Sequence, residues 1–124
     1  RFDAIEQATR GVFSEIEMAA VSPERRARFF RSHEAGWEVV PVVKRRMRWH
    51  TADVMGLEME TGQDLILFRN VAIYFTERQA TAAWARLCDC LAPGGFLVTG
   101  KAERPSPELP LKRIATSIYR RTAA

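Results

Sequence analysis

The chain has 124 residues, of which 47% are hydrophobic and 27% charged, a composition typical of a soluble globular domain and not of a disordered segment. No apolar run approaches the roughly 20 residues needed to span a bilayer, and the N-terminus lacks the apolar core of a signal peptide. We therefore expect a cytoplasmic protein with no membrane insertion. The net charge of +4 comes from clusters of arginine and lysine. Solvated helix faces explain such clusters more often than nucleic acid does, so no nucleic-acid partner is predicted.

The first residues of the chain have a helical pattern. Ile5, Ala8 and Val12 recur at near-helical spacing, and Gly11 stands where a helix would stop. No capping residue precedes this pattern, and a natural domain seldom begins uncapped in the middle of a helix. We therefore expect the natural protein to extend upstream of this sequence.

A second helix and two short strands are predicted next. Ser22 suits the N-cap and Pro23 the first turn of a helix that runs through Phe30. Residues 36–41 then have the composition of a short strand. Apolar and polar side chains alternate over residues 47–53, which predicts a further strand that ends near the aspartate at its last position.

The most informative segment is the apolar run over residues 64–75. A continuous apolar run of this length, followed at once by a helix start, is typical of a strand buried on both faces of a parallel sheet. Ligands of open α/β sheets bind beyond the carboxyl ends of the strands. Arg69, Asn70 and Tyr74 lie at that end of the run, and each can hydrogen-bond a small polar molecule. We therefore expect a ligand site here.

The remainder of the chain predicts a helix and two more strands. Residues 76–79 form a capping-box sequence, and an apolar stripe over residues 80–91 predicts a helix that packs on the sheet. The Pro-Gly-Gly sequence at 93–95 would end this helix, and residues 96–100 would form the next buried strand of a parallel unit. Residues 114–119 have strand-like composition and are expected to close the sheet as its last strand.

Two cysteines, Cys88 and Cys90, fall in the predicted helix. At a separation of two residues their side chains point in different directions, so an intrahelical disulfide is not expected. They also lack partners at metal-ligand spacing. We expect free, buried thiols and no metal site.

Four segments now resemble one family in both order and spacing. Phe68-Arg69-Asn70-Val71-Ala72-Ile73-Tyr74-Phe75 resembles the C-R-N-V-x-I-Y-F segment of the CheR-type chemotaxis receptor methyltransferases. Leu91-Ala92-Pro93-Gly94-Gly95-Phe96-Leu97 resembles the L-x-P-G-G-Y-L turn that follows it in the family. Residues 8–13 and 23–30 are similar to the A-R-x-G-x-Y and P-P-E-x-x-x-R-Y-F signatures. The resemblance covers nearly the whole chain.

The resemblance implies an α/β fold of the Rossmann-like class I methyltransferase type with a small inserted β-subdomain. The fold would be partial, because the first strand and its glycine-rich loop are not found in this sequence. Residues 1–29 would be a helical segment of the methyltransferase domain, and residues 30–49 a short β-subdomain insertion. Residues 50–124 would form the C-terminal part of the methyltransferase domain.

The implied activity is S-adenosylmethionine-dependent methylation of glutamate side chains on the cytoplasmic signalling domain of a chemoreceptor. In the family an Asn-Val pair after the fourth strand contacts the cofactor, which places this role on Asn70 and Val71. A second pair at the preceding strand end falls on Asp53 and Val54, with Asp in place of the usual Asn. The active-site tyrosine of the family falls on Tyr74. From the residues alone, Tyr74 could also be a core aromatic, Asn70 a turn cap and Asp53 an ordinary turn residue.

Several departures from the family leave other functions open. The glycine-rich loop and the N-terminal helical domain with its catalytic arginine are missing, and Gly100-Lys101-Ala102-Glu103 differs at two positions from the family's G-H-S-E. The alternatives are a class I methyltransferase that acts on RNA or a small molecule, and a non-catalytic interaction module that kept the fold. A sheet without its first strand would also favour self-association, so we expect this fragment to form a homo-oligomer or to aggregate.

Overall fold

The computed structural model describes residues 2–55 and 59–122. The chain divides into two compact units, a first that ends at Ala52 and a second that begins at Asp53. Every helix within the described residues is too short or too polar to cross a bilayer.

The first unit contains three short helices and a three-stranded sheet. Its elements are α1 (Phe2–Arg10), β1 (Val12–Phe13), α2 (Pro23–Phe29), β2 (Phe30–His33), β3 (Gly36–Val39) and α3 (Pro41–Lys44). The strands are antiparallel, in the order β1-β3-β2. Both predicted helices are confirmed: α1 ends just before Gly11, and the Ser22 hydroxyl accepts the N–H of Arg25 at 3.3 Å as the N-cap of α2.

A lysine joins three elements of this unit. The Lys44 ammonium donates to the carbonyl of Arg10 at 2.8 Å, where α1 ends, and to the Glu38 carboxylate on β3 at 3.2 Å. Arg31 on β2 donates to the other Glu38 oxygen at 3.1 Å. The hydrogen bonds from Lys44 and then Arg31 lower the pKa of Glu38 below its ordinary value. The small sheet is therefore fastened to α1 and α3 by charged contacts.

The prediction of a strand over residues 47–53 is wrong. The third helix ends at Lys44, and residues 47–53 have no regular secondary structure. An alternating pattern makes a strand only where a neighbouring strand can pair with it, and neither sheet of the described residues includes this segment.

The second unit is built on a four-stranded mixed sheet. Its elements are β4 (Gln63–Phe68), a 3₁₀ helix (Ala72–Tyr74), α4 (Glu77–Cys90), β5 (Leu91–Thr99), β6 (Leu111–Ala115) and β7 (Ile118–Arg121). The order is β4-β5-β7-β6, in which β4 and β5 are parallel and the other pairs antiparallel. The predicted capping box of α4 is confirmed by reciprocal hydrogen bonds between Thr76 and Gln79 at 3.0 and 3.2 Å.

The core of the second unit lies between α4 and one face of the sheet. Trp84 and Leu87 of α4 form a buried cluster with Leu91 and Leu97 of β5. Phe68 meets Trp84 edge-on, with ring centroids 5.6 Å apart. Cys88 and Cys90 are free and buried, as the sequence predicts.

The expectation that residues 64–75 form a strand buried on both faces is wrong, because one face of the sheet is exposed at this strand. The strand β4 ends at Phe68, and its alternate side chains Leu65 and Leu67 are 55% and 66% exposed. Among the described strands β4 is also an edge strand. An apolar run predicts which side chains can be buried, but their burial depends on what the rest of the molecule packs against them.

Two further predictions about the sheet are corrected. Residues 114–119 are not one strand: β6 and β7 form an antiparallel hairpin that turns at residues 116–117, where Ser117 has a φ of +64°. The Pro-Gly-Gly sequence does not end α4, which stops at Cys90; residues 92–95 instead bulge from β5. A Cβ on Gly95 would lie 2.8 Å from the carbonyl oxygen of Gln63, so the close approach of the two strands requires glycine there.

Candidate functional site

The predicted ligand site coincides with a tight turn at the carboxyl end of β4. Phe68 pairs with Thr99 at the ends of the parallel strands β4 and β5, so the residues that follow each strand lie at the same edge of the sheet. Asn70 has a φ of +60° in the left-handed region, and the 3₁₀ helix starts at Ala72. Asparagine tolerates this backbone conformation better than most residues.

A buried carboxylate organises the turn. Glu103 is 5% exposed, and its two oxygens accept four backbone N–H groups. One oxygen accepts from Asn70 at 2.6 Å and from Gly100 at 2.8 Å. The other accepts from Val71 at 2.9 Å and from Ala72 at 2.7 Å. The carboxylate therefore joins the segment after β4 to the segment after β5.

The charge state of Glu103 follows from its surroundings. Burial by itself raises the pKa of this carboxyl group. The four N–H donors together lower the pKa by a larger amount, so the pKa of Glu103 lies below its ordinary value. Glu103 is therefore ionised at neutral pH, the state in which both oxygens can accept.

The glycine at the end of β5 makes room for this arrangement. A Cβ on Gly100 would lie 2.6 Å from the nearer carboxylate oxygen of Glu103 and would overlap the side-chain oxygen of Asn70. Thr99, at the end of β5, donates its hydroxyl to the carbonyls of Gly100 at 3.1 Å and Glu103 at 3.2 Å. Residue 100 must therefore be glycine for Asn70 and Glu103 to meet.

The structure brings three of the predicted site residues together. Asn70 and Val71 are adjacent in the turn, and Val71 is 37% exposed. Tyr74 ends the following 3₁₀ helix with 82% of its surface exposed, so it is not a core aromatic. Because the N–H groups of Asn70 and Val71 are committed to Glu103, both residues have mainly their side chains left to bind a ligand.

The second predicted pair is arranged differently. The Asp53 carboxylate accepts the N–H of Met55 at 2.9 Å, as an aspartate does in an ordinary turn. Val54 is partly buried and packs against the core cluster that also includes Ala72. A role for Asp53 and Val54 in binding stays a prediction.

Sequence reasoning missed the part that Glu103 plays. It registered this residue only as a position in the segment Gly100-Lys101-Ala102-Glu103. The two positions that match the family, Gly100 and Glu103, are the two that build the turn, whereas Lys101 and Ala102 are exposed. The match at Gly100 and Glu103, beside the differences at Lys101 and Ala102, was the signal in the sequence that these two residues have a structural role. Exposed positions can vary without disturbing the turn.

An α/β unit with a polar turn at the carboxyl end of two parallel strands has the arrangement of cofactor-binding α/β domains. The profile of the family described as "CheR methyltransferase, SAM binding domain" matches residues 2–118. The chain therefore belongs to the CheR methyltransferase family, and its cofactor is S-adenosylmethionine.

Curated relatives carry names that agree with this family. The chain is 28% identical over 100 residues to a chemotaxis protein methyltransferase of Listeria innocua, a match that covers 81% of this chain and 38% of the relative. It is 33% identical over 106 residues to a probable chemotaxis protein methyltransferase of Rhizobium etli, covering 82% and 40%. Chemotaxis protein methyltransferase 1 of Pseudomonas aeruginosa is 30% identical over 99 residues, covering 77% and 36%. The chain thus spans between 36% and 40% of the length of these relatives.

The residues of the turn fit this cofactor chemically. The exposed Asn70 side chain offers an amide donor and acceptor, as the edge of an adenine ring requires. Val71 offers a partly exposed apolar surface, and the exposed ring of Tyr74 can approach a sulfonium cation through its π face.

Proposed function

We propose that the protein carrying this chain methylates glutamate side chains on the cytoplasmic signalling domain of a chemoreceptor, and therefore acts in the cytoplasm. The observation that carries the proposal is the turn after β4, where the family's Asn-Val pair and tyrosine occur as Asn70, Val71 and Tyr74 with exposed side chains. The mixed sheet is then part of a Rossmann-like class I methyltransferase fold. The chain itself, which spans about two fifths of its relatives, supplies only part of the active site.

The reaction makes modest chemical demands on the protein. When bound, S-adenosylmethionine supplies a methyl group on a positively charged sulfur that is open to nucleophilic attack. A glutamate carboxylate, with a reference pKa of about 4.3, is already ionised at neutral pH. No general base is needed, so Asn70, Val71 and Tyr74 have only to hold and orient the two reactants. Correct placement alone can supply several kcal/mol of the barrier.

In this proposal Tyr74 orients the reacting groups. Its exposed hydroxyl can hydrogen-bond the substrate carboxylate, and its ring lies one turn beyond the Asn70–Val71 pair. Replacement of Tyr74 by phenylalanine keeps the ring and removes the hydroxyl. We expect lower kcat with little change in cofactor affinity, because the lost contact acts on the reaction more than on cofactor binding. Tyr119, the other tyrosine of the chain, packs against the core and is the matched control for a Tyr→Phe change.

Methyl transfer to a receptor signalling domain tests the proposal directly. The full-length protein is incubated with methyl-labelled S-adenosylmethionine and the receptor fragment, and the product is treated with mild base. A glutamyl methyl ester releases volatile labelled methanol, whereas N-methyl products keep the label. Base-labile label that is lost in Tyr74→Phe and kept in Tyr119→Phe supports the proposal. Labelled RNA or a labelled small molecule in a cell extract, with no label on the receptor, would instead favour the alternative methyltransferases. No transfer to any acceptor would favour the interaction module.

A further inference from the structure

The turn at residues 70–72 has the form of an anion-binding nest that is filled from within. Three successive backbone N–H groups, from Asn70, Val71 and Ala72, point at the carboxylate of Glu103. Such converging N–H groups commonly bind an external phosphate or carboxylate. Here the chain's own glutamate occupies them, so an external anion cannot use them.

The same carboxylate also fixes how the two strand ends meet. The oxygen that accepts from Asn70 accepts as well from Gly100, which follows β5. Only a carboxylate has enough acceptor sites for four donors at once, since an amide of the same size replaces one oxygen with a donor. The left-handed backbone of Asn70 is unfavourable by itself and persists only where the surroundings hold it.

We propose that Glu103 is a positioning residue for cofactor binding, which holds the Asn70–Val71 turn in the conformation that presents the Asn70 side chain to S-adenosylmethionine. This inference rests on the proposed function for the place where the cofactor binds. Glu103 itself is buried and makes no contact with the reactants; its effect on affinity acts through the turn.

A purely structural role would make a different prediction. If Glu103 only stabilised the fold, its loss would lower the melting temperature, and the molecules that remained folded would bind the cofactor normally. A control must therefore destabilise the same core without disturbing the turn. Leu91 is 1% exposed and lies at the start of β5, where it pairs with Gln63, whereas Gly100 and Glu103 follow the other end of this strand. Leu91→Val is such a control.

The experiment compares Glu103→Gln, Leu91→Val and Asn70→Gly in the full-length protein. Calorimetry with S-adenosylhomocysteine, the demethylated product, measures affinity, and thermal melts fix a temperature at which every variant is folded. In Glu103→Gln the new amide NH₂ faces two of the four N–H donors, at least one of them in the turn, so we expect at least ~10-fold weaker binding. Leu91→Val should melt at a lower temperature and bind within about 2-fold of the wild type, because Leu91 lies at the end of β5 that pairs with Gln63, away from Thr99 and Gly100.

The outcomes separate this inference from the proposed function. Wild-type affinity in Glu103→Gln, or an equal loss in Leu91→Val, overturns the positioning role. Normal binding by Asn70→Gly also overturns it, because no presented Asn70 side chain would then be needed. The proposed function is decided separately, by transfer of base-labile label to the receptor. Should Glu103→Gln not fold, Glu103→Asp is read by the same criteria, because it keeps the charge but is one methylene too short to reach all four donors.

Discussion

Asn70 combines an unusual backbone with a predicted role in binding, and two substitutions separate these properties. Alanine and glycine both remove the side-chain amide. Only alanine, however, has a Cβ that conflicts with the left-handed φ of +60°. A comparison of Asn70→Ala with Asn70→Gly therefore distinguishes backbone strain from loss of a cofactor contact.

The expected magnitudes follow from the geometry of the turn. Alanine in the left-handed region costs about 1–2 kcal/mol, whereas glycine costs about 0.5–1 kcal/mol through the entropy of the unfolded chain. Asn70→Ala should therefore be less stable than Asn70→Gly by up to ~1.5 kcal/mol. Both variants lose the same hydrogen-bonding group, so both should bind S-adenosylmethionine more weakly by about 1–3 kcal/mol, or roughly 5- to 150-fold.

Urea unfolding and calorimetry on the same samples of full-length protein measure the two effects. The two variants should differ in their free energy of unfolding, while their affinities for S-adenosylmethionine agree within about 2-fold. Wild-type affinity in Asn70→Gly would refute the binding role. A loss of affinity in Asn70→Ala that Asn70→Gly does not share would attribute the whole effect to backbone strain.

Three further predictions concern the isolated chain and Glu103. The 124-residue chain alone should bind S-adenosylmethionine at least ~100-fold more weakly than the full-length protein, a loss of roughly 3 kcal/mol. The reason is that the resemblance places much of the cofactor pocket upstream of this chain. Micromolar binding in calorimetry would contradict this prediction. The isolated chain should also self-associate through the exposed edge strand β4. Leu67→Lys should reduce the association measured by analytical ultracentrifugation. A monomer at every concentration would contradict this prediction. Since the folded state lowers the pKa of Glu103, the stability it contributes is fully present at neutral pH and lost as the pH falls through its folded pKa. Urea unfolding between neutral and acidic pH should show a shallower loss in Glu103→Gln, and an unchanged slope would show that Glu103 is not responsible.

The sequence by itself determined the elements whose signals are local. The Ser22 cap, the Thr76–Gln79 capping box and the helix end before Gly11 are all confirmed. Each depends on hydrogen bonds between residues no more than four apart, so the residues that form the signal are also those that make the contact. The Asn70–Val71 pair was identified for a related reason, because the resemblance rests on one continuous segment.

Features that depend on residues distant in the sequence could not be predicted from local signals. The alternating residues 47–53 belong to neither sheet of the described part of the chain. The turn at Ser117 uses a left-handed serine, where glycine or asparagine would have indicated a hairpin. Whether Leu65 and Leu67 are buried depends on what packs on that face of the sheet, and the apolar pattern is the same in either case.

The organisation of the candidate site was decided by the tertiary structure alone. Glu103 reaches across 31 to 33 residues to the N–H groups of the turn. Every residue except proline carries a backbone N–H, so the donors of these bonds leave no mark in the sequence. A glutamate in a loop is ordinarily a solvated surface charge. Only the pairing of β4 with β5, which brings the two strand ends together, makes this one the buried acceptor of four hydrogen bonds.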